Sequence, residues 1–340
     1  MKVGLCGYGP MGRTHAQLIT KHEGIQLVAV ADVQADLRAR AQTELGVQTF
    51  ESGEALIDAR IADVIFVCAP TYLHAALTIR ALKAGAHVFC EKPMGLNPTL
   101  CAAMIDAARR ADRMLIIGQV LRFWPEYVFL KQAIDSGRYG RLQSLSMTRI
   151  GGVSIGFERW FLDEKRGGMQ IFDRHIHDTD LCLWLLGLPE AVQAFGFEKD
   201  ARTDGGIVHS FTRYIYKDMA ISAEGSADLP TKFPFTMGYR ATFDNAAIEY
   251  SSRQTPTLKL YVGDGEPSTP ELPQPLGEVQ SGLNIASASG YYLEEVYFFD
   301  CIRKGRRPQI VTPESARDTI RVVRAEIRSA RRDGARIRIV

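Results

Sequence analysis

No apolar run in the 340 residues approaches the ~18 needed for a membrane-spanning helix, so no membrane partner is expected. There is no C-x-x-C pair. The six cysteines stand apart at 6, 68, 90, 101, 182 and 301, which argues against a disulfide framework and for a reducing, cytoplasmic setting. The first residues already read as a strand, leaving no stretch that resembles a secretion signal. Surplus charge is small: 41 Lys and Arg against 39 Asp and Glu give a formal net charge of +2, so nothing global points to nucleic acid. The local exception is 303–340, where twelve Lys/Arg face four Asp/Glu. Arg317, Arg321, Arg324 and Arg328 recur there at helical spacing, either as a polyanion-binding face or as the solvated side of a helix with Ile320, Val323 and Ile327 inward. No aromatics are interleaved for base stacking, which favours the solvated face. Repeats and low-complexity tracts are absent too.

Hydrophobic residues make up 46% of the chain and charged residues 24%, the profile of a globular protein long enough for two domains. Short β-prone runs at 3–6, 27–31, 47–50, 64–68, 87–90 and 115–118 alternate with helical patterns such as 34–44, 73–84 and 97–110. That alternation predicts a parallel sheet with helices on both faces. From about 141 the texture changes: 144–150, 191–199, 207–216, 219–225, 238–243 and 257–262 carry β-branched and aromatic residues, and predict a mostly antiparallel sheet. A Pro/Gly-rich loop is expected over 263–282, and helix returns over 291–333.

The first chemistry-bearing motif is Gly7-Tyr8-Gly9-Pro10-Met11-Gly12, between a strand and a helix expected at 12–21. Gly7 permits the sharp turn, Gly9 removes the side chain that would block a pyrophosphate, and Gly12 lets the helix pack close to the strand. The helix N-terminus then offers free N–H groups to phosphates. Asp32 ends the second strand, where a carboxylate accepts hydrogen bonds from a ribose diol and repels the extra phosphate of NADP. The cofactor expected is therefore NAD, with NADP disfavoured.

The second constellation begins with Glu91-Lys92-Pro93, which puts a lysine at the carboxyl end of the fifth strand, where ligands bind in such sheets. It continues in the segment from Phe172 to Leu186. If this segment is helical, Asp173, His177, Asp180 and Trp184 fall within roughly 60° of one another, a plausible acid/base face. Phe172, Ile176, Leu183 and Leu186 read as core. His177 also has a plain structural reading, as a core histidine bonded to Asp173 or Asp180. Asp173, His175 and His177 have metal-ligand chemistry, but helical spacing turns His175 about 160° from His177, so no metal is expected.

Together these residues resemble the glucose-fructose oxidoreductase / inositol dehydrogenase / rhizopine catabolism family, Gfo/Idh/MocA. The resemblance runs through Gly7–Gly12, Ala69-Pro70 with His74, Ala84–Pro93, Arg122-Phe123-Trp124-Pro125, Gly137–Gly140, the Asp173/His177/Asp180 segment and the tail from Glu295 to Pro313. It implies catalytic roles for Lys92, Asp173 and His177, and cofactor contacts from Gly7, Gly9, Pro10, Met11, Gly12, Asp32, Pro70, His74, Glu91 and Lys92. Substrate contacts are implied for Lys92, Arg122, Trp160, Asp173 and His177. The expected fold is α/β: an NAD-binding Rossmann domain over 1–120, then an α/β substrate and oligomerisation domain over 121–340 with a large, mostly antiparallel open sheet. The expected activity is hydride transfer between a sugar, polyol or cyclitol hydroxyl carbon and NAD, in a homo-oligomer (dimer or tetramer). The alternatives are an NAD-dependent glycoside hydrolase using transient oxidation, and a non-catalytic NAD-binding regulator. The chain departs from the family pattern at His175, usually glycine, and at Tyr72, commonly asparagine.

Overall fold

Each short apolar run closed by turn residues becomes a strand in the computed structural model, which describes residues 1–152, 156–198, 206–273 and 288–339. In chain order the first elements are β1 (Lys2–Cys6), α1 (Pro10–Ile19), β2 (Gln26–Ala31), α2 (Ala35–Leu45), β3 (Gln48–Phe50), α3 (Gly53–Asp58), β4 (Val64–Val67), α4 (His74–Lys83), β5 (His87–Glu91), α5 (Pro98–Ala111) and β6 (Leu115–Gly118). There follow α6 (Pro125–Ser136), β7 (Leu142–Gly152), a π-helical turn (Ile171–His175), α7 (Ile176–Leu186), β8 (Ala191–Glu198), β9 (Ile207–Tyr216), β10 (Met219–Leu229), β11 (Thr236–Phe243), β12 (Ala246–Ser251) and β13 (Leu258–Val262). Last come α8 (Ser289–Arg303), α9 (Pro313–Ala330) and β14 (Ile337–Arg338). The expected strands appear within a few residues of their limits. The short α3, α6 and β12 were not foreseen, and 274–282 of the expected loop lie outside the described residues.

The chain divides into two compact units, Met1–Phe123 with Pro275–Arg317, and Trp124–Gln274 with Asp318–Val340. The first holds a six-stranded parallel sheet in the order β3-β2-β1-β4-β5-β6. β1 and β4 lie side by side although the chain leaves β1 toward β2, so the strand order reverses between them, the place where such sheets bind ligands. β4, Val-Ile-Phe-Val, is buried throughout, as a central parallel strand covered on both faces must be. The expected division ran the second domain unbroken from 121 to 340. In the structure α8 packs with the first unit, because Phe298 and Phe299 are buried against Phe66 and Phe89 of β4 and β5.

The second unit holds an eight-stranded sheet, β13-β12-β11-β7-β10-β9-β8-β14, antiparallel except for the β10–β7 pair. Its strands alternate: in β9, Ser210, Thr212 and Tyr214 are buried while Phe211 and Arg213 point outward. Asp178 of α7 and Arg149 of β7 are joined inside by two bonds of 3.0 and 3.1 Å, with Tyr127 of α6 on the same guanidinium at 3.2 Å. Among the described residues no helix is long and apolar enough to cross a membrane. The basic tail is largely paired at home: Arg331 meets Glu164 and Glu198, Arg321 meets Asp318, and Arg324 lies over Phe172.

Candidate active site

In the first unit the glycine turn is built by collision. Gly7 has φ +96°, and a Cβ there would lie 2.6 Å from Cys68 O. A Cβ on Gly12 would lie 1.9 Å from Gly7 O, so only glycine lets α1 start this close to β1. Gly9 is different: a Cβ there meets nothing within 4 Å. Among the described residues no neighbour explains the missing side chain at Gly9, whereas a pyrophosphate lying against that backbone would. Gly9 caps α1 without any side-chain bond, with Pro10 at the first helical position and Met11 and Gly12 next. Asp32 follows β2; its Oδ2 accepts the Tyr8 N–H at 2.7 Å and its Oδ1 the Gln34 N–H at 2.9 Å. The carboxylate thus clamps the turn and keeps lone pairs for a ribose. Arg38 donates to the carbonyls of Asp32 and Val33. These residues fit an NAD cofactor.

Two further loops leave the sheet at the same end. Pro70 precedes a 3₁₀ turn, Thr71–Leu73, after β4, with Tyr72 exposed on it. His74 is buried, and its ring nitrogens face Pro93 O at 2.7 Å and Ala69 O at 2.8 Å. Burial outweighs these carbonyls and holds its pKa below the ordinary value, and a neutral ring donates to one of the two carbonyls only. Expected as a cofactor contact, His74 has both nitrogens directed at backbone carbonyls. Lys92 stands half-buried directly after β5, before a cis bond to Pro93.

Glu91, also expected to touch the cofactor, points into the unit. Its Oε2 accepts the Lys92 N–H at 3.0 Å and its Oε1 meets His15 Nε2 at 2.9 Å. His15 Nδ1 meets Glu295 Oε1 at 2.7 Å, and His22 meets the other Glu295 oxygen at 2.7 Å. Burial alone would lower the His15 pKa; Glu295 and Glu91 outweigh it and raise it to about 10, so the ring is an imidazolium between two carboxylates. Next to it Glu294 is buried with both oxygens unpartnered, and burial beside Glu91 holds its carboxyl well above the usual range. His15, Glu91 and Glu294 are the grouping with metal-ligand spacing among the described residues. Both His15 nitrogens are already taken by carboxylates, which makes it an ion-pair cluster.

Sequence reasoning missed this string of contacts. Its signal was faint: His15 lies on α1 and His22 in the turn just past its end, seven residues further on. Also missed was Gln119, buried after β6 with neither amide atom partnered. Gly118 pairs in register with Glu91, so Gln119 stands level with Lys92. Arg122, expected to touch substrate, is buried and donates to Ile310 O at 2.7 Å.

In the second unit, Trp160 sits half-buried in a 3₁₀ stretch, Phe157–Leu162, its ring stacked on Phe161 at 3.8 Å. The turn at Gly167-Gly168 leads to the π-helical turn, and α7 continues from it without a break. The expected helix is therefore not uniform. A π turn carries an extra residue and shifts the phase of the residues after it relative to those before it. Asp173 and His177 remain partly exposed, while Asp180, expected on their face, is buried and accepts the Thr319 hydroxyl at 2.9 Å. Asp173 lies 4.0 Å from Arg174, which donates to the carbonyls of Ser226 and Gly152. His175 is fully buried.

Residues 1–119 match the oxidoreductase family with an NAD-binding Rossmann fold, and 127–229 match the GFO/IDH/MocA C-terminal domain. Myo-inositol 2-dehydrogenase of Thermotoga maritima is 32% identical over 189 residues, 55% of each chain. The 2,7-anhydro-N-acetylneuraminate hydratase of Escherichia coli K12 is 29% identical over 210 residues, 61% of this chain and 53% of that one. The matched region thus spans about half the length of these curated relatives. Levoglucosan dehydrogenase, solved with NADH and levoglucosan, superposes with a TM-score of 0.86 over 100% of this chain and 99% of that one, at 19% identity, a likeness of fold. With both the nucleotide-binding and the C-terminal parts matched, the chain belongs to the Gfo/Idh/MocA oxidoreductase family.

Proposed function

We propose that the protein is an NAD-dependent dehydrogenase of sugar, polyol or cyclitol hydroxyls. The observation that carries this reading is the pair Asp173 and His177. They stay partly exposed on a segment whose neighbouring Asp178 and Asp180 are buried and bonded inside. The names of the inositol dehydrogenase and levoglucosan dehydrogenase relatives supply the substrate class. NAD, held by the Gly7–Gly12 turn and Asp32, supplies the hydride acceptor. His177 takes the proton of the substrate hydroxyl. Lys92 donates a hydrogen bond to the same oxygen, steadying its developing negative charge. Asp173 orients the substrate through a neighbouring hydroxyl. The backbone of Lys92 is held by Glu91, and Glu91 by His15, so the lysine starts from a fixed point.

The six free cysteines, five of them buried, support a reducing cytoplasm. Phe195, Phe197 and Phe211 are 57%, 60% and 45% exposed on the outward side of the second sheet, and support a homo-oligomer formed through that face. The test of activity is a panel of sugars and polyols against NAD and NADP, followed at the nicotinamide absorbance. Reduction of NAD by one of them is expected. A second reading is favoured by the hydratase relative: transient oxidation that leaves the cofactor unchanged overall. Product formation from an anhydro sugar or glycoside without net NAD reduction would select it.

A further inference from the structure

His175 occupies a seat that four pieces of the second unit build around it. Strand β10 passes it at Gly225, where a Cβ would lie 2.8 Å from His175 Nδ1 and 2.9 Å from its Cβ. From β9, Thr212 Oγ1 stands 3.1 Å and Tyr214 OH 3.3 Å from His175 Nε2. From α9, Glu326 Oε2 lies 3.4 Å from the same nitrogen. The fourth is α7, whose Thr179 hydroxyl donates to Glu326 Oε1 at 3.0 Å and bonds Tyr214 OH at 2.9 Å. Both His175 and Glu326 are fully buried. Burial alone would lower the pKa of the ring; Glu326 outweighs it and holds the pKa above its ordinary value, with Asp178 of α7 helping and Arg149 of β7 opposing.

Such a buried pair is a poor way to gain stability, since desolvation consumes most of the Coulomb attraction. The hydride chemistry proposed above does not use it. What it does have is position: His175 is the last residue of the π turn, two residues after Asp173 and two before His177. A π turn is rare and metastable against α-helix. If it relaxed by one residue, Asp173 would swing about 100° around the helix axis relative to His177.

We propose that the His175–Glu326 pair is a positioning device that pins the π turn against the sheet and so fixes the Asp173 carboxyl relative to the His177 imidazole. This rests on the reading of those two residues as the acid/base pair of a dehydrogenase. His175 and Glu326 are positioning residues, acting through Asp173 and His177.

The test perturbs the seat from a distant strand. Gly225→Ala removes no polar group but drives a methyl against the His175 ring and against Gln170 Oε1, at the start of the π turn. It is expected to lower kcat about tenfold to a hundredfold, the scale of a misplaced catalytic group, while the KM for NAD stays unchanged. In full-length protein labelled at its seven histidines, the titration midpoint of His177 should move by about half a unit or more, as its charged neighbour moves. Glu326→Gln, which keeps the shape and removes the charge, should shift both readouts in the same direction. A folded Gly225→Ala protein with wild-type kcat and an unmoved His177 midpoint overturns the proposal. Hydrogen exchange of the wild type gives a readout that no folding failure can remove. The amides of 171–175 should exchange as slowly as those of β9 and β10, and fast exchange confined to that turn overturns the proposal. Should the wild type oxidise no sugar or polyol, the dehydrogenase reading falls by that assay, while the His177 midpoint and the exchange rates still decide whether the pair pins the turn.

Discussion

Asp32 serves two ends with one carboxylate. Its bonds to the Tyr8 and Gln34 N–H groups fix the glycine turn, and its charge faces whatever the turn binds. NAD should be strongly preferred over NADP in kcat/KM, and Asp32→Ser should narrow the gap by about tenfold, or ~1.4 kcal/mol. Equal use of both cofactors by the wild type would count against this. At Lys92 the requirement is a compact donor at a fixed point, and an arginine fork cannot present one there. Lys92→Arg should therefore lose most turnover while NAD binding, followed by fluorescence quenching, persists. Full activity of that variant would mean that positive charge alone is enough. His177→Ala should depress turnover by ~10²–10⁴-fold, the usual contribution of a general base, with little change in cofactor affinity. If His175→Ala behaves that way and His177→Ala does not, the proton belongs to the other imidazole.

At the scale of elements, α1 is more than a cofactor-binding helix. Its N-terminus carries the turn, its inward face carries His15 to the carboxylates of Glu91 and Glu295, and His22, in the turn just past its end, reaches the other Glu295 oxygen. That links β5 and α8 to the same helix and gives the first unit a pH signature. The His15 pKa stands at about 10 in the fold, against ~6.5 in an unfolded chain. A raised pKa stabilises the fold fully below ~6.5, and the contribution fades as pH climbs toward the folded value. Tm should accordingly fall between about pH 6.5 and 10, and His15→Gln, which lacks the titrating ring, should flatten that part of the curve. The variant should also be less stable at neutral pH by about 3–5 kcal/mol, because it strands buried carboxylates. Parallel Tm curves for the two proteins would remove His15 from the account.

Across the whole molecule, helices cover both faces of the first sheet, while the second leaves an aromatic patch outward. On β8 and β9 Phe195 is the register partner of Phe211, and Phe197 that of His209, so the exposed rings form one patch. In the homo-oligomer proposed above, a second copy would cover this patch. Light scattering should find a dimer or tetramer, and Phe195→Glu with Phe211→Glu should shift it toward monomer without unfolding either unit. A wild-type protein that is monomeric at micromolar concentration would refute the assignment.

The strands of the first unit, the glycine turn with Asp32 and the placement of Lys92 were legible in the sequence because each depends on neighbours in the chain. Strand runs, a left-handed glycine and a residue just past a strand end are local facts. The antiparallel texture of the second sheet was legible for the same reason. Only the tertiary structure decided the rest. It turned Glu91, His74 and Arg122 inward onto partners up to 188 residues away, placed α8 against the first sheet and buried Asp180. It also inserted a π turn where helical spacing assumed a uniform helix. His175 shows why: nothing next to it in sequence asks for a buried imidazole, and Gly225, Thr212, Tyr214 and Glu326 supply the seat from strands and a helix that meet only when the chain is folded.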